Sequence, residues 1–202
     1  MIDAENAGVT GYSFDGTNTL MLSGVRIDPQ QYLELCADPE HTMNTVSYWF
    51  EDYYTCGLAR QWDTFSAEAG QELTESQDGL WQPVTDERIR AVLPIAADGF
   101  FLFGEKGLAA VDRPVLMMAG RLDDLYAENA LIFEHLGTPE KTFITFIDRE
   151  HGMIELTEMQ AYMAHFMVAF FGYHLQARAD YAEYFSQEFV SQYDDLAWGV
   201  YP

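Results

Sequence analysis

Basic residues and cysteines are scarce in this sequence of 202 residues. Ten Lys and Arg stand against 33 Asp and Glu, which gives a formal net charge of −23. A surface this acidic repels phosphate groups, so nucleic-acid binding and electrostatic docking to anionic lipids are not expected functions. The two cysteines, Cys36 and Cys56, are too few for a disulfide scaffold and form neither a CxxC nor a zinc-binding spacing. They form either one bridge or two small buried side chains.

Long apolar runs and a leader-like start are missing as well. The most apolar stretch, residues 161–173, contains His165. It is shorter than the roughly 20 residues that a bilayer-spanning helix needs, and it predicts a buried helix. The first eight residues include Asp3 and Glu5 and show neither the basic nor the apolar region of a signal peptide. We therefore expect no membrane span and no signal peptide in this chain.

The sequence also lacks cofactor motifs. No glycine-rich phosphate loop occurs. The histidines outside the candidate site described below show no metal-ligand spacing; they are His41, His135, His165 and His174. The sequence therefore predicts a protein without a metal, nucleotide or flavin cofactor.

What is present is apolar material in alternating strand and helix patterns, with 49% hydrophobic and 15% aromatic residues. The predicted strands are residues 7–10, 89–96, 114–119 and 141–147, and the predicted helices are residues 14–22, 127–136, 153–173 and 177–190. This alternation predicts one α/β domain over residues 1–202 with a parallel sheet of about four strands. Residues 28–85 contain no clear strand and many aromatic and acidic side chains, and we expect them to form a helical insertion or a lid.

Three polar residues follow predicted strands in the order Ser, Asp, His. Ser13 lies in Gly11-Tyr12-Ser13, where the first strand turns into a helix, and Asp123 and His151 follow the third and fourth strands. The carboxyl ends of parallel strands meet at one edge of a sheet, so these side chains should lie together. A serine becomes nucleophilic beside a base that is itself oriented by a carboxylate. The alternative for Ser13 alone is the cap of an ordinary helix.

These motifs resemble the α/β-hydrolase superfamily, and within it the dienelactone hydrolase-like and platelet-activating-factor acetylhydrolase-like serine esterases. The resemblance covers roughly residues 1–175 and is carried by residues 2–14 (IDAENAGVTGYSF), 86–94 (DERIRAVLP) and 113–123 (RPVLMMAGRLD). It implies a parallel sheet flanked by helices and hydrolysis of carboxylic esters through an acyl-enzyme. Dienelactone hydrolases proper carry cysteine at the nucleophile, so Ser13 favours ester hydrolysis over lactone opening. Acyl transfer to an alcohol or amine is an alternative.

The resemblance also implies a role for each site residue. Ser13 is the expected nucleophile, Asp123 the acid, His151 the base, and the Phe14 backbone N–H one oxyanion donor. Asp98 and Asp124 remain alternatives for the acid. No cofactor is implied, and the expected partner is a small-molecule ester.

Two features depart from the family pattern. Asp15 occupies a position where the family usually has glycine, and we expect it to crowd the contact between the helix and the strand, with Gly16 taking over part of the spacing. The family places about half of its sheet, and the loop with a second oxyanion donor, before the nucleophile, whereas here the nucleophile is residue 13. Losing one such donor lowers kcat by roughly 10²–10³.

The early position of the nucleophile leaves the first strand without a neighbour on one side. We expect this strand to pair with another copy of the chain, to be covered by residues 28–85, or to belong to a fragment whose N-terminal half pairs with it. The alternative function is accordingly a non-catalytic fragment or interaction module that keeps the motif.

Overall fold

The computed structural model of the chain describes residues 3–37 and 56–202. These residues build an α/β fold around a sheet of five strands in the order β1-β2-β3-β4-β5. The strands are β1 (Ala7–Tyr12), β2 (Ile89–Ile95), β3 (Val115–Gly120), β4 (Lys141–Phe146) and β5 (Leu196–Trp198). The first four strands are parallel, whereas β5 pairs antiparallel with β4. The predicted fold class, a parallel sheet flanked by helices, is confirmed.

Helices connect the strands and cover both faces of the sheet. The α-helices are α1 (Phe14–Met21), α2 (Pro29–Ala37), α3 (Trp62–Ala69), α4 (Gln71–Thr74), α5 (Phe100–Leu108), α6 (Tyr126–His135), α7 (Thr157–Gln176) and α8 (Gln187–Val190). The 3-10 helices span Leu58–Gln61, His151–Glu155 and Ala179–Phe185. Within the two described ranges, no helix is both long and apolar enough to cross a membrane.

The core lies in two layers, one on each face of the sheet, because successive strand residues point in opposite directions. In β3, Val115 and Met117 face one layer, and Leu116 and Met118 face the other. Both pairs are fully buried, which explains why this strand is apolar without alternation. Side chains of α1, α5 and α6 complete the first layer, and side chains of α7 complete the second.

The described part of residues 28–85 contains helices up to Thr74 and no strand, and its aromatic side chains pack on the first layer. The rings of Phe65 and Trp81 stack with centroids 5.2 Å apart, and Trp62 lies 5.4 Å from Trp81. The cysteine alternatives are decided in favour of a bridge, because Cys36 and Cys56 form a disulfide. The rest of the aromatic segment, up to residue 55, and His41 lie outside the described residues.

Four elements, near the C-terminus and after β2, differ from the sequence expectations. The expected helix over residues 177–190 is a 3-10 helix followed by the short α8, and the expected helix from residue 153 begins at Thr157 after a 3-10 turn. Helix α5 was not predicted, since Gly104 interrupts it with a φ of 58°. The strand β5 was not predicted either, because three residues are too few to show a pattern.

Candidate active site

Ser13 occupies the sharp turn between β1 and α1. Its φ of 58° lies in the left-handed region, which non-glycine residues seldom adopt outside constrained sites. The Ser13 amide donates to the Ile95 carbonyl (2.9 Å), so the end of the neighbouring strand β2 holds the turn in place. The Ser13 carbonyl accepts from the Gly16 amide (2.8 Å), which starts the helix. This turn places the Ser13 hydroxyl beyond the carboxyl end of the sheet.

Two glycines make the turn sterically possible. A Cβ on Gly11 would overlap the carbonyl of Asp15, and a Cβ on Gly16 would stand 3.0 Å from the Ile95 carbonyl oxygen. The expectation that Asp15 crowds this contact is wrong, because its side chain is exposed. Gly16 is buried, and its lack of a side chain allows the close approach of α1 to the end of β2.

Asp123 follows β3 in a loop that lies against the loop after β4. A Cβ on Gly120 would overlap the Arg149 carbonyl, and the Leu122 amide donates to that same carbonyl (2.8 Å). The Asp123 side chain is fully buried, and its Oδ1 accepts from the Leu125 amide (2.8 Å). One carboxylate oxygen is thereby fixed, and the other is aimed at the neighbouring loop.

His151 begins the 3-10 helix after β4 and contacts both other predicted residues. Its Nδ1 lies 2.9 Å from Asp123 Oδ2, and its Nε2 lies 3.0 Å from Ser13 Oγ. The His151 side chain is about 30% exposed, so the imidazole is reachable from solvent. The structure brings the three side chains that the sequence singled out into one chain of contacts, hereafter the triad: Ser13, His151 and Asp123.

The carboxylates around His151 favour its protonated form. The hydrogen bond that His151 Nδ1 donates to the Asp123 carboxylate is the main cause that raises the pKa of His151, and partial burial opposes it. The negative charges of Asp98 and Asp124 raise this pKa further. An imidazole in this setting is a stronger base than a free histidine, and its protonated form is stabilised.

The other sequence candidates take different positions. Asp98 Oδ1 accepts a hydrogen bond from the Thr17 hydroxyl on α1, and its charge acts on His151 from there. Asp124 is exposed, whereas Asp123 is the carboxylate that contacts the imidazole. Phe14 is the first residue of α1, and amides of a first helical turn have no carbonyl acceptor within the helix. Its side chain is 70% exposed beside the nucleophile.

Sequence reasoning missed Tyr12. Its hydroxyl donates to the backbone carbonyl of His151, and the two rings lie 5.0 Å apart. Burial raises the pKa of Tyr12 to about 12, with smaller contributions from the charges of Asp123 and Glu155. The only signal in the sequence was its place directly before Ser13, since His151 is 139 residues away.

A second missed pair, Glu128 and Asn129, is buried on α6. Glu128 Oε1 accepts from the amides of Gly99 (2.8 Å) and Phe100 (2.9 Å), and Asn129 bonds both backbone groups of Ala97. Desolvation by burial is the main cause that raises the pKa of Glu128 to about 8. The sequence signal for the burial of Glu128 was its position on the apolar face of a helix, three residues after Leu125 and four before Ile132.

The remaining described histidines belong to packing contacts. His165 stacks on Phe189 with centroids 4.9 Å apart, and His174 lies 4.6 Å from the Phe170 ring. His135 ends α6 and lies 3.9 Å from a carboxylate oxygen of Glu105. Among the side chains of residues 3–37 and 56–202, no group of three or more His, Cys, Asp or Glu could hold a metal ion.

A surface cavity lies elsewhere on the molecule. It is formed by small and aromatic side chains of α7 and the following 3-10 helix, including Ala161, His165 and Tyr181. None of the triad residues contributes to its lining. The triad is thus defined by contacts between three loops and not by this cavity.

No protein-family model and no curated protein matches the chain. Among solved structures, it is similar to the native form of a cold-adapted esterase from an Arctic intertidal metagenomic library, with 23% identity and a TM-score of 0.35. The zinc-bound structure of that esterase gives 24% identity and a TM-score of 0.32. Each match covers 45% of this chain and 40% of the esterase chain.

Proposed function

We propose that this chain carries the active site of an α/β-hydrolase-like serine esterase that cleaves carboxylic esters. The observation that carries the proposal is the continuous chain of contacts from Ser13 Oγ through the two ring nitrogens of His151 to the buried Asp123 carboxylate. Hydroxyl, imidazole and carboxylate in this order form the arrangement that activates a serine toward acyl groups. The left-handed backbone of Ser13, at a turn from strand to helix, is a second support.

The proposed reaction has two halves. Ser13 Oγ attacks the ester carbonyl carbon while its proton passes to His151 Nε2, and the Phe14 amide stabilises the oxyanion that forms. His151 then gives the proton to the departing alcohol, and the acyl group remains on Ser13. A water molecule, deprotonated by the same nitrogen, attacks the acyl carbon. The bond from the acyl carbon to Ser13 Oγ then breaks as His151 returns the proton to Oγ, and the carboxylic acid leaves. Asp123 orients His151 and stabilises its protonated form in both halves.

The proposal extends to the type of esterase and to the division of the chain into domains. We infer that the chain is of the dienelactone hydrolase-like or platelet-activating-factor acetylhydrolase-like type, and that residues 1–202 form one domain with residues 28–85 as an insertion. The packing of Trp62 and Phe65 against Trp81 supports an insertion that packs on the core.

The test is covalent labelling of the purified chain with a fluorophosphonate, followed by peptide mapping. Such a probe reacts with a serine that is activated by a base. We expect the label on Ser13, no label on Ser13→Ala, and full label on Ser191→Ala, which removes an exposed hydroxyl elsewhere. With an ester substrate, Ser13→Ala should lower turnover by up to roughly 10⁶-fold.

An unlabelled chain that is folded by circular dichroism would contradict the esterase proposal. That result would favour the alternative, an interaction module that retains the motif without the chemistry. Label at a serine other than Ser13 would contradict the assignment of the nucleophile.

A further inference from the structure

The nucleophile strand contacts the loop of the base through Tyr12. Tyr12 is the last residue of β1, directly before Ser13, and its hydroxyl donates to the backbone carbonyl of His151. The Tyr12 ring also lies against the imidazole, with centroids 5.0 Å apart and planes inclined by 34°. One strand end therefore presents the Ser13 hydroxyl and holds the backbone of the residue that must accept its proton.

Two backbone carbonyls of the His151 loop accept hydrogen bonds from the other two segments of the site. Arg149, two residues earlier, accepts from the Leu122 amide (2.8 Å), which fixes the loop to the acid side of the site. The Tyr12 hydroxyl fixes it to the nucleophile side. Asp148, just before these residues, has a φ of 55°, so the chain turns sharply as it leaves β4. Together with the hydrogen bond between His151 Nδ1 and Asp123 Oδ2 (2.9 Å), these two bonds connect the His151 loop to the segments that carry both other triad residues.

We propose that Tyr12 is a positioning residue, whose hydroxyl holds the His151 backbone so that the imidazole bridges Ser13 and Asp123. This inference rests on the proposed function for its effect on rate, while the contact itself concerns the geometry of His151 alone. Tyr12 does not touch the reacting atoms in this role. Its effect passes through the position of the imidazole.

The Tyr12 hydroxyl keeps its proton under the conditions in which a serine esterase works. Burial, together with the nearby charges of Asp123 and Glu155, raises the pKa of Tyr12 to about 12. The hydroxyl thus remains a donor throughout the range in which an imidazole titrates. A carbonyl can only accept, so the direction of this hydrogen bond is fixed.

The test compares Tyr12→Phe with a matched control on the same strand. Tyr12→Phe keeps the ring and removes only the hydroxyl. Thr10→Val removes another β1 hydroxyl that donates to a backbone carbonyl, that of Leu93 (2.8 Å), away from the triad loops. Two readouts are taken on the full chain: the NMR signal of the His151 Nδ1 proton, assigned by its absence from His151→Gln, and the rate of fluorophosphonate labelling.

We expect Tyr12→Phe to broaden or abolish the Nδ1 proton signal and to slow labelling by roughly 10- to 100-fold, the effect of a small displacement of a catalytic group. Thr10→Val should leave both readouts unchanged. In an Asp123→Asn background the added effect of Tyr12→Phe on labelling should shrink to less than about threefold, because the imidazole is already misplaced there.

The outcomes separate this inference from the esterase proposal. An unchanged Nδ1 signal in Tyr12→Phe would overturn the positioning role, whatever the labelling rate. An equal loss in Thr10→Val would overturn it too, since general weakening of β1 would then suffice. Loss of the signal in Tyr12→Phe alone, in a chain that never labels, would uphold the positioning role and contradict the proposed function.

Discussion

At the scale of single residues, the site depends on one backbone conformation that is unfavourable by itself. A non-glycine residue in the left-handed region costs about 1–3 kcal/mol and persists where its surroundings enforce it. For Ser13 the enforcing contacts are the hydrogen bond of its amide to Ile95 and the packing of Gly16 against the end of β2. The strained residue is the one whose hydroxyl faces His151.

Asp123→Asn should change both the rate and its pH dependence. The general base is the neutral imidazole, so activity appears as pH rises through the pKa of His151. Asp123 raises that pKa, and its removal should therefore shift the acid limb of the profile to lower pH. The plateau rate should fall by roughly 10⁴-fold because the imidazole loses its orientation.

The measurement is kcat/KM for an ester substrate against pH, with Asp124→Asn as the control, which removes a neighbouring exposed carboxylate. Asp124→Asn should keep the plateau rate and shift the acid limb less, since its contribution ranks below those of Asp123. Equal losses in the two variants would contradict the role of Asp123.

At the scale of elements, the site is assembled from loops that follow parallel strands and are tied to one another. The loop after β3 bonds to the loop after β4 through Leu122 and Arg149, and the turn after β1 bonds to the end of β2. Helix α6 holds the loop after β2 through Glu128 and Asn129. That loop in turn carries Asp98, which contacts Thr17 of α1.

Glu128→Gln should make the protein less sensitive to alkaline pH. Burial raises the pKa of Glu128 to about 8 in the folded chain, whereas in the unfolded chain this pKa is the ordinary glutamate value of about 4.5. Between these values the folded state keeps a proton that the unfolded state has released, so the free energy of unfolding falls as pH rises. Glutamine retains the oxygen that accepts from the Gly99 and Phe100 amides and cannot titrate. The pH-dependent loss in the free energy of unfolding that this substitution removes is on the order of a few kcal/mol.

Urea unfolding at pH 5 and at pH 8 checks this expectation. The advantage of Glu128→Gln over the original chain should grow with pH, whereas Glu134→Gln, on an exposed position of the same helix, should not produce such a trend. An advantage that stays constant or shrinks toward pH 8 would count against a protonated Glu128 in the folded state.

At the scale of the whole molecule, the dominant property is the excess of negative charge. With a net charge of −23, carboxylates repel one another over the surface of the folded chain more than in the expanded unfolded chain. Several of them, including Asp98 and Asp124, also act on His151. The same charge that disfavours the fold thereby favours a protonated imidazole.

Salt should stabilise the protein. Raising NaCl from about 0.01 M to about 1 M shortens the Debye length from about 30 Å to about 3 Å, which screens this repulsion. We expect the free energy of unfolding in urea to rise by an amount on the order of 1 kcal/mol. A variant with Glu68→Gln and Glu72→Gln, both exposed, should respond less. A lower urea midpoint at high salt would show that the repulsion does not limit stability.

The sequence predicted much of the sheet and the three triad residues for one reason. Parallel strands place all their carboxyl ends at one edge, so residues that follow strands in the chain are brought together without knowledge of any contact. Hydrophobic periodicity did not predict the elements that are short or interrupted. The strand β5 has three residues, and α5 is interrupted at Gly104. Neither element is therefore long and regular enough to show the periodic spacing of apolar residues that marks a strand or a helix.

What the sequence by itself determined is therefore the α/β class, the strands β1 to β4 and the order Ser13, Asp123, His151, because these follow from local periodicity and from the geometry of any parallel sheet. Only the tertiary structure decided that Asp123 is the carboxylate in contact with His151, that Tyr12 holds the His151 backbone, and that Glu128 lies buried behind the site. These contacts join residues between 28 and 139 positions apart in the chain. Their existence depends on distances of a few ångströms between loops, which no local pattern encodes.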